Sequence, residues 1–463
     1  MRTSQTLFIH PLLRYGCLFA MVFAVMGGKL SAGQTNLAGE VEMTTPPLVS
    51  LIGPMESLPT VSGRELVRFS NKAFRFSGAK MRSWNDGYHT NLFAISGGIT
   101  GASAQLPFKV EFDTDSTEFE ILTLGTGGKY RIKVGNEYVS LNIASGPPAD
   151  GNFYWVRVTF PNSQLRTITL EAIGLAFGGV IVADGEQIKR PERELGPRCI
   201  ILGDSFTEGL GSYAQRLATV MNWEVWGSGV GGTGYINAGP GGRVKFADRV
   251  QADVIANNPE IVIVAGGIND AAFSRDSIFN AATALYDLLL TNLPNTRIVV
   301  IGPWWSRGNP PDFLLRARDA VRDAAQSRSL LFIDPVVGQN TGWITGTGNI
   351  AEPQGDGNAD IYISSDSTHP TDLGHQYLAV RLGAELQTLT FENPAPTIDV
   401  ISLAGVLIHG QVGRTYTIQQ KAQLALPDWG SLTNLTLSSN SELWVDTGSE
   451  TNASTIYRAV LIP

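Results

Sequence analysis

The sequence predicts an α/β fold, a parallel sheet with helices on both faces, preceded and followed by all-β regions. Three observations predict it. Between Cys199 and about Leu389, short apolar runs alternate with segments of helical periodicity, the pattern of parallel strands joined by helices. From Gly39 to about Ala183 the runs are short, several alternate apolar with polar residues, and Gly, Asn, Asp and Pro punctuate them. Beyond the Pro-rich linker Asn393-Pro394-Ala395-Pro396-Thr397 the short-strand pattern returns.

Taken in order, residues 1–32 read as a signal peptide. Arg2 and Arg14 precede an apolar stretch from Cys17 to Met26, and small residues follow at Gly27-Gly28 and Ser31-Ala32-Gly33. That apolar core suits an export signal and is short for a bilayer span. Cleavage is expected after Ala32, although Leu30 suits the cleavage site poorly; an uncleaved anchor is the competing reading. The chain is thus expected to be secreted, periplasmic or at the cell surface, with no stable membrane insertion after cleavage.

Residues 39–185 are expected to form a jelly-roll-like β-sandwich, with strands at 109–112, 119–122, 130–134, 154–158 and 167–170. A charged segment, 186–198, leads into the α/β region, 198–390. Its strand runs lie at 200–202, 261–265, 298–301 and 330–334, with a more polar strand near 223–226. Helices are expected at 277–293, at 312–327 and from Pro370-Thr371 through Leu389. In the second, Leu314, Ala317, Val321, Ala324 and Ala325 recur at helical spacing, opposite Arg316, Asp319 and Asp323. Residues 397–463 are expected to form a small β-sandwich with strands at 415–419, 443–445 and 456–460.

Composition narrows the function. The net charge of −8 and pI near 5.3 leave no basic footprint for nucleic acid. Charged residues make up 16%, against roughly 25% in an average globular protein, so the surface is low in charge and rich in turns. Of the two cysteines, Cys17 lies in the signal. Cys199 is then alone, which excludes an intramolecular disulfide and makes it a small core residue.

Gly203-Asp204-Ser205-Phe206 closes the apolar run Cys199-Ile200-Ile201-Leu202. A strand stopping there puts a serine hydroxyl at the carboxyl edge of the sheet, where open α/β folds place their chemistry. Such a serine needs a base, an orienter for the base, and donors for an oxyanion. His89 and His409 fall in the β regions, whereas His369 and His375 end the α/β region. In Asp366-Ser367-Thr368-His369-Pro370 a carboxylate precedes an imidazole by three residues. Asp366 can bond one ring nitrogen while the other faces Ser205. The same segment also reads as a helix start with Pro at the first helical position, and His375, inside that helix, as a packing or surface residue. Gly266-Gly267-Ile268-Asn269-Asp270 and Gly229-Val230-Gly231-Gly232-Thr233-Gly234 follow strands and can supply an amide side chain and backbone N–H groups. The glycine loop lacks a P-loop Lys and is no nucleotide fingerprint. No His/Asp cluster has metal-ligand spacing, so neither metal nor cofactor is expected.

These segments, in this order, resemble the SGNH (GDSL-type) serine hydrolase superfamily. Gly203-Asp204-Ser205 matches its first block. The glycine loop matches the second, with Gly232 or Gly229 as the oxyanion donor. Gly267-Ile268-Asn269-Asp270 matches the third and Asp366-x-x-His369 the last. The resemblance spans the α/β region and implies a flavodoxin-like domain. It further implies that Ser205 attacks an ester carbonyl, His369 takes its proton, Asp366 orients His369, and Ser205, Gly232 and Asn269 hold the oxyanion. Phe206 replaces the usual Leu, and the second block lacks its leading Asn.

The C-terminal region, through Gly413-Arg414-Thr415-Tyr416-Thr417-Ile418, Asp428-Trp429 and Tyr457-Arg458-Ala459, resembles a small β-sandwich of secreted bacterial hydrolases. A β region before an SGNH domain is similar to two-domain bacterial acetylxylan-type esterases. The expected substrate is therefore an acylated polysaccharide, with a small ester as the alternative for a general carboxylesterase or lipase-like enzyme. A non-catalytic carbohydrate-binding or adhesion protein is the reading of another class. Trp304 and Trp305, just past the strand run at 298–301, are expected to stack on sugar or wall an acyl pocket, with core packing as the competing reading. The Gly- and Asn-rich segment 342–363 is expected to form a loop over the site.

Overall fold

A computed structural model describes residues 40–54, 65–85, 90–96, 106–183, 185–192, 196–337, 342–391, 397–402, 405–421, 428–438, 441–445 and 456–462. The expected signal peptide, its cleavage site after Ala32, and His89 lie outside the described residues. The chain divides into two compact units, one reaching to Glu385 and the other running from Leu386 onward.

The first unit opens with two mainly antiparallel sheets, of eight and seven strands. The strands expected between 109 and 170 are present as Phe108–Thr114, Glu118–Leu124, Lys129–Val134, Phe153–Thr159 and Arg166–Ile173. They alternate between the sheets in chain order. Val110, Phe112, Ile132, Ile168 and Leu170 from one sheet share an apolar cluster with Ile121, Val156, Val158 and Val180 from the other. Removing that apolar surface from water holds the layers together, at roughly 25 cal/mol per Å².

The same unit continues into a five-stranded parallel sheet. Its elements are β1 (Arg198–Gly203), α1 (Tyr213–Met221), β2 (Glu224–Gly229), α2 (Phe246–Asp253), β3 (Ile261–Ala265), α3 (Arg275–Asn292), β4 (Arg297–Ile301), α4 (Asp312–Ser327), β5 (Leu331–Ile333), α5 (Ala359–Tyr362) and α6 (Asp372–Phe391). The strand order is β2-β1-β3-β4-β5, and all pairs are parallel. Leu202, Val264 and Val300 pack on one face with Phe246, Leu285, Leu289 and Val321 from the helices. On the other face α1 approaches β2 closely: a Cβ on Gly227 would lie 3.0 Å from that of Ala214. Gly383 of α6 sits against Val220 of α1.

The strand expected near 223–226 to be polar is in fact buried. Its Gly227-Ser228-Gly229 end is small because the serine turn presses on it: a Cβ on Gly229 would lie 2.3 Å from Glu208 N. Cys199 is fully buried and unpaired, as a core residue, and burial pushes its thiol pKa up. The order of strands reverses beside β1, so the crevice at its carboxyl end is where such a sheet admits a ligand.

The second unit has two three-stranded sheets. One holds Thr397–Ser402, Gly405–His409 and Ser441–Val445; the other holds Thr415–Lys421, Gly430–Thr436 and Ile456–Leu461. Ile408, Tyr416, Ile418, Leu437 and Ala459 form its core. Among the described residues no helix is long and apolar enough to cross a membrane.

Candidate active site

Ser205 follows β1 on a turn whose tightness comes from side chains. A Cβ on Gly203 would collide with Thr207 Oγ1 at 2.1 Å, and Asp204 Oδ1 accepts the Phe206 N–H at 3.0 Å. Asp204 is wholly buried, and its second carboxylate oxygen has no partner among the described residues. Desolvation therefore raises its pKa to about 7, reinforced by nearby Asp270 and opposed by the Phe206 N–H. Arg249, buried beneath the edge, donates to the carbonyls of Gly203 at 2.5 Å and Ser228 at 2.7 Å, tying the ends of β1 and β2 together.

His369 stands on a turn just before α6. Its Nε2 lies 2.8 Å from Ser205 Oγ and its Nδ1 2.7 Å from Asp366 Oδ2. Asp366 Oδ1 accepts from Ser364 Oγ at 2.7 Å and from the Thr368 and His369 N–H groups at 2.9 Å each. Partial burial pushes the Asp366 carboxyl up, but the hydrogen bonds from His369, Ser364 and Thr368 outweigh it and hold the pKa well below the usual carboxylate range. Ser367, at φ 59°, takes the left-handed turn that lets residues 366 and 369 meet. Ser306 donates to its carbonyl at 2.8 Å, and Asn349 to its hydroxyl at 2.9 Å. The 342–363 segment thus braces the histidine turn.

The remaining predicted donors come together at the same edge. The N–H groups of Ser205 and Gly232 have no hydrogen-bond partner among the described residues. Gly232 has φ 75°, a left-handed conformation suited to glycine. Gly229, the alternative donor, lies inside β2 against the serine turn, where its absent side chain serves packing. Asn269 Nδ2 donates to Thr233 O at 2.9 Å, which fastens the amide to the glycine loop. Glu208 Oε2 accepts the Gly231 N–H at 2.8 Å, and Arg243 donates to the Gly231 carbonyl. Sequence reasoning missed Glu208, Arg243, Ser306 and Asn349, because only the folded chain brings Glu208 to the glycine loop and the other three to the motifs they brace.

The tryptophan pair splits. Trp304 is buried, stacked on Phe206 with centroids 6.1 Å apart and edge-on to Tyr213 at 4.8 Å. The expectation that it stacks on sugar is corrected: its ring fills the space beneath Phe206. Phe206 in turn meets the His369 ring at 5.6 Å, so the substitution for Leu enlarges this support. Trp305 is half-buried, edge-on to Phe313, which is 44% exposed. His375 is half-buried, and its Nδ1 accepts the Tyr213 N–H at 3.2 Å. Burial, with Arg216 nearby, lowers its pKa to about 3 and keeps it neutral.

Residues 201–377 match the family model described as GDSL-like Lipase/Acylhydrolase. These residues form a GDSL-like lipase/acylhydrolase domain. A GDSL lipase of Mycobacterium tuberculosis is 26% identical over 197 residues, covering 39% of this chain and 78% of that one. Among solved structures, a family two carbohydrate esterase from Cellvibrio japonicus aligns with TM-score 0.52 and 16% identity, over 72% of this chain and 99% of that one. A salicylyl-acyltransferase from a tetracycline biosynthetic pathway aligns with TM-score 0.50 and 14% identity, over 70% and 97%. An acetyl xylan esterase from the rumen bacterium Butyrivibrio proteoclasticus aligns with TM-score 0.50 and 13% identity, over 71% and 99%. At these identities the likeness is one of fold, and it extends beyond the GDSL-like domain itself.

Proposed function

We propose that this protein is a secreted serine esterase that removes short acyl groups, acetyl above all, from polysaccharide. The observation that carries the reading is the continuous relay from Ser205 Oγ through His369 to Asp366, at 2.8 and 2.7 Å. In the reaction, His369 Nε2 takes the Ser205 proton as Oγ attacks the ester carbonyl. Asp366 fixes the ring tautomer and stabilises the imidazolium. The oxyanion is met by the N–H groups of Ser205 and Gly232 and the Asn269 amide. His369 then returns the proton to the leaving sugar oxygen. Water, activated by the same imidazole, releases the acid and restores the serine. These residues carry every proton transfer themselves.

The flanking regions fit this reading. We take 39–185 as a jelly-roll-like β-sandwich, 198–390 as a flavodoxin-like SGNH domain and 397–463 as a small β-sandwich. The order β2-β1-β3-β4-β5 supports the second assignment. The carbohydrate substrate rests on likeness of architecture and on the half-exposed Trp305–Phe313 pair, an aromatic surface near the active edge. A general carboxylesterase is the second reading, favoured by the burial of Trp304, which leaves a smaller aromatic platform. Acetate release from a panel of acetylated polysaccharides, set against p-nitrophenyl esters of increasing chain length, separates the two. Preference for chains of about eight carbons or more, with no acetate from any glycan, rejects the deacetylase. Trp305→Ala is expected to lower the rate on polymer more than on p-nitrophenyl acetate.

A further inference from the structure

A network of charged side chains runs from the two-sheet region to the active edge. Arg131, on Lys129–Val134, is fully buried and donates to Glu40 at 3.0 and 3.3 Å and to Glu171 at 2.8 Å. Tyr138 donates to Glu171 at 3.1 Å, and Lys109 pairs with Glu171 at 3.1 Å. Glu40 also accepts from Arg216 of α1 at 2.7 Å. Burial alone would push the Glu171 pKa up, but Lys109, Arg131 and Lys133 bring it down to about 2. Burying ions costs several kcal/mol each, and an apolar core of the same volume is often as stable. Stability alone therefore does not explain the network.

Its far ends do. Arg131 donates to the carbonyl of Leu210 at 3.1 Å, and Arg216 to that of Gly211 at 2.9 Å. Both carbonyls lie in the segment that leaves Ser205 for α1. Arg216 also reaches Asp372 at 2.7 Å, the first residue of α6, three positions past His369. One guanidinium thus touches the continuation of the serine turn, the continuation of the histidine turn, and the β region. The Tyr213 N–H, bonded to His375 Nδ1, makes a parallel tie between α1 and α6.

We propose that Arg216 is a positioning residue for the reaction: it sets the Ser205–His369 separation, and Glu40 with Arg131 locks its rotamer. The β region is then part of the catalytic device. Proton transfer tolerates little slack, and a displacement of about 1 Å costs on the order of 10²-fold in rate. This inference rests on the proposed roles of Ser205 and His369.

The test uses the full chain with p-nitrophenyl acetate. Arg216→Gln and Glu40→Gln are expected to lower kcat by about tenfold or more with KM within about twofold, the signature of lost alignment. Either can also unfold the protein, so Asp372→Asn decides independently. The Asp372 side chain is 67% exposed, and its loss is expected to leave Tm nearly unchanged. It should still lower kcat by roughly threefold to tenfold, with Asp372→Glu restoring most of it. Wild-type kcat in folded Arg216→Gln and Asp372→Asn overturns the inference. Wild-type turnover in Ser205→Ala removes instead the active-site reading beneath it.

Discussion

Ser205 and His369 form one proton-transfer unit in the proposed reaction, so their losses should not add. Ser205→Ala and His369→Ala are each expected to lower kcat by several orders of magnitude, and the double variant little further, in steady-state assays of purified protein. Near-native activity in Ser205→Ala would sink the mechanism. Asn269→Ala is expected to lower kcat by about 10²–10³ with little change in KM, because its amide acts mainly in the transition state. A rise confined to KM would make Asn269 a ground-state contact. Gly232→Ala is a sharper probe of the loop. At φ 75° a side chain is strained, and its Cβ would meet Pro240 at 3.1 Å. The expected result is a fall in kcat without loss of fold, read by kinetics beside circular dichroism. Ser205, Gly232 and Asn269 could be nominated from the sequence because each follows a strand in a short motif, and His369 because a carboxylate, Asp366, precedes it by three residues. Trp304 was not, since two adjacent aromatics after a strand look alike whether a ring turns inward or outward.

At the scale of elements, pH reads the burial of the serine turn. Asp204 has a folded pKa of about 7 against an ordinary 3.8, so the folded chain holds its proton more tightly than the unfolded one. The associated stability is present below about pH 4 and is lost as pH rises through 7. Glu171 works in the opposite direction: at about 2 against 4.5, its contribution is present above pH 4.5 and is lost as pH falls toward 2. Asp204→Asn should flatten the decline in Tm between about pH 4 and 8, measured by thermal melts, and leave the acid limb unchanged. An unaltered slope would show that Asp204 does not titrate there. The five runs at 109–170 were readable as strands because each is short and bounded by turn residues. Ala176–Val182 was not, because both of its faces are buried and it has no alternation. Its Gly178-Gly179 pair makes a bulge, with Gly179 at φ 138° and no room for a Cβ beside Val67.

For the whole molecule, the change of period along the chain made the β, α/β and β succession visible. It did not show that the first two regions form one compact unit. Glu40, Arg131 and Arg216 look like ordinary surface charges in the sequence, and only long-range pairing makes them core. Deleting residues 397–463 is therefore expected to spare hydrolysis of small esters, whereas deleting residues through 185 should abolish soluble, active protein by exposing Arg216 and apolar surface together. An active α/β fragment recovered without the β region would contradict this. The spacing of the network has a further meaning in time. Glu40 is separated from Arg131 by 91 residues and from Arg216 by 176. Closing such loops is entropically slow, and contacts of this range tend to arrive late in folding. During refolding from denaturant, hydrolysis should therefore return after the sheet signal in circular dichroism, when Glu40 finally meets its arginines. The chain would pass through a stage in which the serine and histidine are both present on a formed sheet and still cannot work together.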